Sequence, residues 1–146
     1  PRLPGRSRSH QHVDMEGLGN SKRIVADGYD RMGPEFAAWN SQRPRHARRS
    51  FLGEVLARLG EGSTVVELGC GPGTDAAWLS AGRRYVGVDL SSVQVSIAQQ
   101  RVPHATFVVG DLTSMTFRPE SVDGVVAMYV LMHVPQEGHR AEAPAV

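Results

Sequence analysis

The spacing of apolar residues changes character along the chain, and each change predicts an element. Phe51, Leu52, Val55, Leu56 and Leu59 recur at helical intervals, and Gly60 follows where a helix would close. From residue 63 the pattern alternates. Apolar, β-branched runs at 63–68 (STVVEL), 84–89 (RYVGVD), 105–109 (ATFVV) and 122–127 (VDGVVA) predict strands, with helical patterns at 75–81 and 91–101 between them. Nearly continuous apolar strands separated by helices predict an α/β fold, a Rossmann-like doubly wound parallel sheet with helices on both faces. The helix at 91–101 carries a capping box, Ser91 and Gln94, and its apolar Val93 and Ile97 lie four residues apart, predicting a buried stripe.

Upstream the pattern weakens. Residues 1–20, PRLPGRSRSHQHVDMEGLGN, are rich in Pro, Gly, Ser and Arg without periodicity and read as a disordered tail, with Met15 inside it as an alternative native start. His10 and His12 make an H-x-H pair with no third ligand nearby, so no metal site is assigned. Residues 21–50 begin with SKRIVADGYDRMGPEFAAWN, two short helical pieces broken at Gly33 and Pro34. The organisation expected is therefore a tail (1–20), cap helices (21–50) and a sheet domain (51–146).

Composition narrows the classes. The chain has 146 residues, 40% of them hydrophobic, enough for one core, and a formal net charge of +1 that gives no whole-chain reason for a nucleic-acid partner. Ten of the 16 basic residues nevertheless fall in the first 50 positions, including Arg43, Arg45, Arg48 and Arg49, which read first as a solvated helix face. A single cysteine, Cys70, cannot form an internal disulfide, and no signal peptide is visible, so a cytoplasmic setting is the default. The longest apolar stretch, Gly124 to Met132, is about half of the ~20 residues a bilayer needs, so no membrane partner is expected.

The chemistry concentrates in TVVELGCGPGTDAAW, residues 64–78. After a strand, glycines allow a ligand to approach the backbone, and Gly69, Gly71 and Gly73 have that place. Their spacing is G-x-G-x-G, whereas a dinucleotide fingerprint requires G-x-G-x-x-G, and position 74 is Thr. Glu67, two residues ahead of the first glycine, would repel a pyrophosphate and favour a ligand with an ammonium group. Asp89, twenty residues after Gly69 at the end of the second strand, can accept hydrogen bonds from ribose hydroxyls. The ligand class is a nucleoside with a positively charged attachment. A nicotinamide-dependent oxidoreductase fits the βαβ pattern but fails at Glu67 and at the glycine spacing.

On VVELGCGPG, YVGVDLS, FVVGDL and FRPESVDGVVAMYVLMHV, in that order, the chain resembles the class I S-adenosylmethionine-dependent methyltransferases, especially their small-molecule branch. The resemblance covers about Tyr29 to His133, and ADGYDRMGPEFAAWN resembles the helices that cap the cofactor there. It implies S-adenosylmethionine as cofactor and a small molecule as methyl acceptor. It also implies that the loop from Glu67 through Gly69, Cys70 and Gly71 to Gly73 holds the methionine portion, with Glu67 near its ammonium group. Asp89 would bind the ribose, Leu90 would lie on the adenine face, and Asp111 with the Leu112 backbone would read the adenine edge. Met128 would line the cleft near the sulfonium, and Tyr29 and Trp39 would either cover the cofactor or pack the N-terminal helices. His133 is the one residue named as a base for the acceptor; Cys70, between glycines, reads as a turn residue and not a nucleophile. Asp123 reads as a structural residue starting the fourth strand.

The family pattern has seven strands in order 3-2-1-4 at its centre, and here only strands one to four are present, an incomplete fold. After MHVPQEGHR the chain reads AEAPAV, which is read as truncation or a frameshift near Arg140. The fourth strand would then be an edge, prone to self-association. A non-catalytic S-adenosylmethionine-binding remnant lacking an acceptor pocket is therefore the alternative to an active methyltransferase.

Overall fold

A computed structural model of the chain describes residues 19–134. The His10–His12 pair, Met15 and the segment around Arg140 lie outside the described residues.

The first element, α1 (Asn20–Gln42), is two helical pieces joined at Gly33, whose φ of 42° and ψ of −128° leave the helical region, with Pro34 directly behind it. The break is where the sequence places it: Pro34 has no amide to donate, and a positive φ of that kind is adopted most readily by glycine. Carbonyls at the break are satisfied from elsewhere, because the buried Gln94 side chain donates to the Tyr29 carbonyl at 3.2 Å and to the Gly33 carbonyl at 3.1 Å.

Then α2 (His46–Leu56) buries Leu52 and Leu56 and leaves Phe51 57% exposed, so its apolar stripe is narrower than the spacing predicts. The helix ends at Leu56, and Gly62, with φ 76°, is the glycine beyond it that takes left-handed backbone; Gly60 does not.

The sheet comprises β1 (Thr64–Leu68), β2 (Arg84–Asp89), β3 (Thr106–Val109) and β4 (Gly124–Ala127), all parallel, in the order β3-β2-β1-β4. This is the Rossmann-like arrangement expected, four strands of the larger pattern. Val65 and Val66 on central β1 are 0% and 2% exposed, as a strand covered on both faces requires. Asp123 accepts from the Thr64 amide at 2.7 Å and ties the start of β4 to β1. The strand itself begins at Gly124, two residues later than predicted.

Between the strands lie α3 (Ala76–Leu79), shorter than the predicted 75–81, and α4 (Ser92–Arg101). The Ser91 hydroxyl accepts the Gln94 amide at 3.1 Å, the expected cap. The reciprocal half is absent: Gln94 reaches α1 instead, and the Ser91 amide donates to Asp89 Oδ1 at 2.9 Å. Consequently the fully buried face of α4 is Gln94 and Ala98, while Val93 and Ile97 are half-buried. Asp30 of α1 accepts from the Ser91 hydroxyl and from the Val93 amide, the latter at 3.2 Å, so α1 is fastened to the N-terminus of α4. No helix among the described residues is long and apolar enough to cross a membrane.

Candidate functional site

At the C-terminal ends of the strands, between β1 and β4 where the chain order reverses, lies a cavity of about 490 Å³. That is the place where open α/β sheets hold ligands, and the volume suits a small-molecule ligand. Its walls come from α1 (Tyr29, Phe36, Trp39), the loop after β1, the end of β2 and the turn after β4.

Three glycines of that loop take positive φ: Gly69 at 67°, Gly71 at 52° and Gly73 at 66°. Their roles differ. A side chain on Gly71 would enter open space, its nearest neighbour being Phe36 Cε1 at 3.9 Å, so this glycine keeps a wall of the cavity bare. A side chain on Gly73 would meet Ala98 Cβ at 2.8 Å, which makes Gly73 a packing residue against α4; it does not line the cavity. Gly69 and Cys70 do line it. Burial first, with the charges of Asp89 and Glu67 adding, pushes the Cys70 thiol well above its ordinary range, which suits a turn residue and not a nucleophile.

Asp89 is half-buried at the end of β2 and faces the cavity. Its Oδ2 accepts the Gly71 amide at 2.8 Å and its Oδ1 the Ser91 amide at 2.9 Å. Burial raises its carboxyl above the usual range against the lowering effect of these amides. A carboxylate has about four acceptor positions, so two remain for a ligand's hydroxyls. Leu90, Leu112 and Met128 also line the cavity.

Glu67 and Asp111 stand differently. Glu67 is 1% exposed beneath the floor, accepting from the Tyr85 hydroxyl at 2.6 Å and from Arg48 Nη2 at 3.3 Å. Its carboxyl is pushed up to about 7, chiefly by burial, with the Tyr85 hydrogen bond opposing and Asp75 adding. It does not line the cavity; Arg48, which covers it, does. Arg48 Nε also lies 2.6 Å from Asp75 Oδ2, a close charge contact whose angle falls short of a hydrogen bond. Asp111 likewise does not line the cavity. Lys22 donates to it at 2.7 Å and the Thr113 amide at 2.9 Å, and although burial alone would raise its carboxyl, these contacts hold it below the ordinary range. Asp111 thus fastens the start of α1 to the loop after β3.

Tyr29 and His133 meet at the mouth: the phenol oxygen lies 3.1 Å from His133 Nε2. Burial, and then the Asp89 charge, raise the Tyr29 hydroxyl above its ordinary range. Tyr129 beside them holds a left-handed φ of 63°, with its ring 5.9 Å from the Arg48 guanidinium carbon. Sequence reasoning did not single out Phe36, Gln94 or Tyr129 as cavity residues. Gln94 carries a signal visible only in three dimensions: its Oε1 is buried with no hydrogen-bond partner among the described residues. Among the described residues no three His, Cys, Asp or Glu side chains group as a metal site.

A bare glycine turn, a strand-end carboxylate locked by backbone amides and a hollow at the switch point define a nucleoside-binding α/β domain. Residues 65–143 match the family described as "Methyltransferase domain", and the chain belongs to that family, among the class I S-adenosylmethionine-dependent methyltransferases. It is 37% identical over 97 residues to trans-aconitate 2-methyltransferase of Paracidovorax citrulli, covering 62% of this chain and 36% of that protein. It is 27% identical over 88 residues to 18S rRNA (guanine-N(7))-methyltransferase of Mus musculus, covering 59% and 31%. Among solved structures it is similar to magnesium protoporphyrin IX methyltransferase from Synechocystis PCC 6803 with bound SAM, at a TM-score of 0.65 and 26% identity, over 86% of this chain and 69% of that one. The chain spans about a third of the length of the curated relatives it matches. S-adenosylmethionine is the family's cofactor, and the open wall at Gly71 with the spare acceptor positions of Asp89 fits it.

Proposed function

We propose that this domain binds S-adenosylmethionine in the 490 Å³ cavity and serves methyl transfer to a small-molecule acceptor. The observation that carries the reading is Asp89, fixed by the Gly71 and Ser91 amides so that its remaining acceptor positions meet a ribose. The bare Gly71 wall admits the methionine portion, Leu90 and Leu112 flank the adenine, and Met128 lies toward the sulfonium. Glu67 acts from below by holding Arg48, and Asp111 acts by holding Lys22.

When bound, S-adenosylmethionine supplies a methyl group already activated on a sulfonium. The chain's own contribution is then placement and exclusion of water, and good orientation alone is worth roughly 7 to 11 kcal/mol. Tyr29, Phe36 and Trp39 form the cover that does this, with Tyr29 and Phe36 packed edge to face at 4.9 Å. His133, bonded to Tyr29 at the mouth, is positioned to take a proton from an acceptor. The small-molecule acceptor is supported by the names of the trans-aconitate and protoporphyrin relatives. Release of S-adenosylhomocysteine on incubation with small-molecule acceptors, against none with ribosomal or transfer RNA, tests it. Release with RNA alone overturns it.

We further propose that β4, an edge of the sheet among the described residues with Val125 53% exposed, pairs copies of the chain.

A further inference from the structure

The way the turn after β4 meets the cavity depends on Val130. A side chain on Gly69 would meet Val130 Cβ at 2.5 Å, so Val130 fills the space that glycine leaves and packs inward on the loop after β1. The His133 amide donates to the Val130 carbonyl at 3.0 Å and the Val134 amide to the Leu131 carbonyl at 3.1 Å, closing a 3₁₀ turn (Leu131–His133) whose far end is pinned by the buried Val134. With Val130 and Val134 inward, Tyr129, Met132 and His133 are the residues of this turn that are both exposed and line the cavity.

Two of the three are large and apolar, Tyr129 65% and Met132 71% exposed. Tyr129 also holds its φ of 63°, a left-handed conformation unfavourable for a bulky side chain. The fold therefore keeps a ring in water, on strained backbone, at the mouth of its ligand cavity. Burial against a bound molecule is what this surface lacks.

The neighbouring side chains are aromatic. His133 ends a run of rings that all line the cavity, with centres 5.8 Å apart from Trp39 to Phe36, 4.9 Å from Phe36 to Tyr29 and 5.6 Å from Tyr29 to His133. An aromatic guest can meet such rings edge to face or offset, and the Met132 thioether adds a contact that favours a ring over a saturated hydrocarbon.

Charge points the same way. Among the described residues, the arginine and lysine side chains that line the cavity are Arg43 and Arg48. Arg48 is engaged by Glu67 and Asp75, and Arg43 is available to the carboxylate of the cofactor's methionine portion. A polycarboxylate or phosphorylated acceptor would find no further such cation in the lining, and RNA needs cations along several phosphates.

We propose that the methyl acceptor is an uncharged aromatic small molecule, its ring seated on Tyr129 and Met132 and its polar group beside His133. The inference rests on the methyl-transfer reading of the cavity and narrows its acceptor class.

The test is calorimetric titration of the full chain, saturated with S-adenosylhomocysteine, with 2-naphthol, with its saturated counterpart trans-2-decalol and with trans-aconitate. 2-Naphthol should bind about two- to tenfold tighter than the decalol, the gain expected of a ring contact, and trans-aconitate should bind weakest. Tyr129→Gly removes the ring at a backbone conformation that glycine adopts freely, and Met132→Ala shortens a largely exposed side chain. Both variants should keep their circular dichroism and weaken 2-naphthol binding, Tyr129→Gly by about tenfold. No 2-naphthol binding, decalol or trans-aconitate bound as tightly, or unchanged binding by either variant overturns the proposal. Single-stranded oligouridine bound more tightly than 2-naphthol also overturns it, in favour of RNA. If 2-naphthol binds through Tyr129 while S-adenosylhomocysteine does not bind, the cofactor reading falls and the aromatic site stands; if S-adenosylhomocysteine binds and 2-naphthol does not, the cofactor reading stands and the acceptor class falls.

Discussion

The Gly71 amide donates to Asp89 Oδ2 across 2.8 Å, joining the loop after β1 to the end of β2. One carboxylate therefore both shapes the loop and faces the ligand space. Asp89→Ala should lose ribose hydrogen bonds worth on the order of 1.5 to 3 kcal/mol for a charged acceptor, a loss of roughly ten- to a hundredfold in S-adenosylmethionine affinity. It should also lower thermal stability, because the Gly71 and Ser91 amides lose their partner. Calorimetry and a thermal melt read the two effects separately.

The loop glycines should respond differently to substitution. Gly71→Val places a β-branched side chain in the cavity at a φ of 52° and should abolish cofactor binding. Gly73→Ala puts a methyl group 2.8 Å from Ala98 Cβ outside the cavity, so its first effect should be destabilisation of about 1 to 3 kcal/mol, seen in denaturant unfolding.

Glu67 gives the fold a pH dependence of defined sign. Its carboxyl stands at about 7 in the folded chain against an ordinary 4.5, so between those values the folded state holds more protons than the unfolded. Stability contributed at this site is thus highest below 4.5 and falls as pH rises through about 7, by up to about 3 kcal/mol. Glu67→Gln should flatten that part of the stability–pH curve. An unchanged slope in the variant would assign it to other groups.

The β4 edge should associate. Sedimentation of the full chain is expected to show concentration-dependent oligomers, and Val125→Lys, a charge on the exposed edge strand, should shift them toward monomer.

Much of this was legible in the sequence because local chemistry fixes it. Pro34 behind Gly33 breaks α1, β-branched runs make the four strands, and the G-x-G-x-G spacing sets the loop before β2 brings Asp89 beside it. What the pattern did not reveal depends on partners distant in the chain. Glu67 has a ligand-facing sequence position, but Tyr85, 18 residues away, and Arg48, 19 residues away, take its oxygens below the floor. Asp111 similarly has Lys22, 89 residues away, as its partner. Gln94 is polar by type yet 0% exposed, because the kinked α1 offers it two carbonyls that no helical periodicity announces. Of the arginines at 43–49, Arg43 and Arg49 are exposed as a solvated face requires, whereas Arg45 and Arg48 are half-buried on partners distant in the chain, Thr74, Glu67 and Asp75.

The most direct measurement is isothermal titration of the full chain and of Asp89→Ala with S-adenosylmethionine, S-adenosylhomocysteine and NAD. Saturable binding of the first two at one site, weakened at least about tenfold by the substitution, with no binding of NAD, is the predicted result. Binding of NAD without S-adenosylmethionine, or S-adenosylmethionine affinity unchanged in Asp89→Ala, would contradict it.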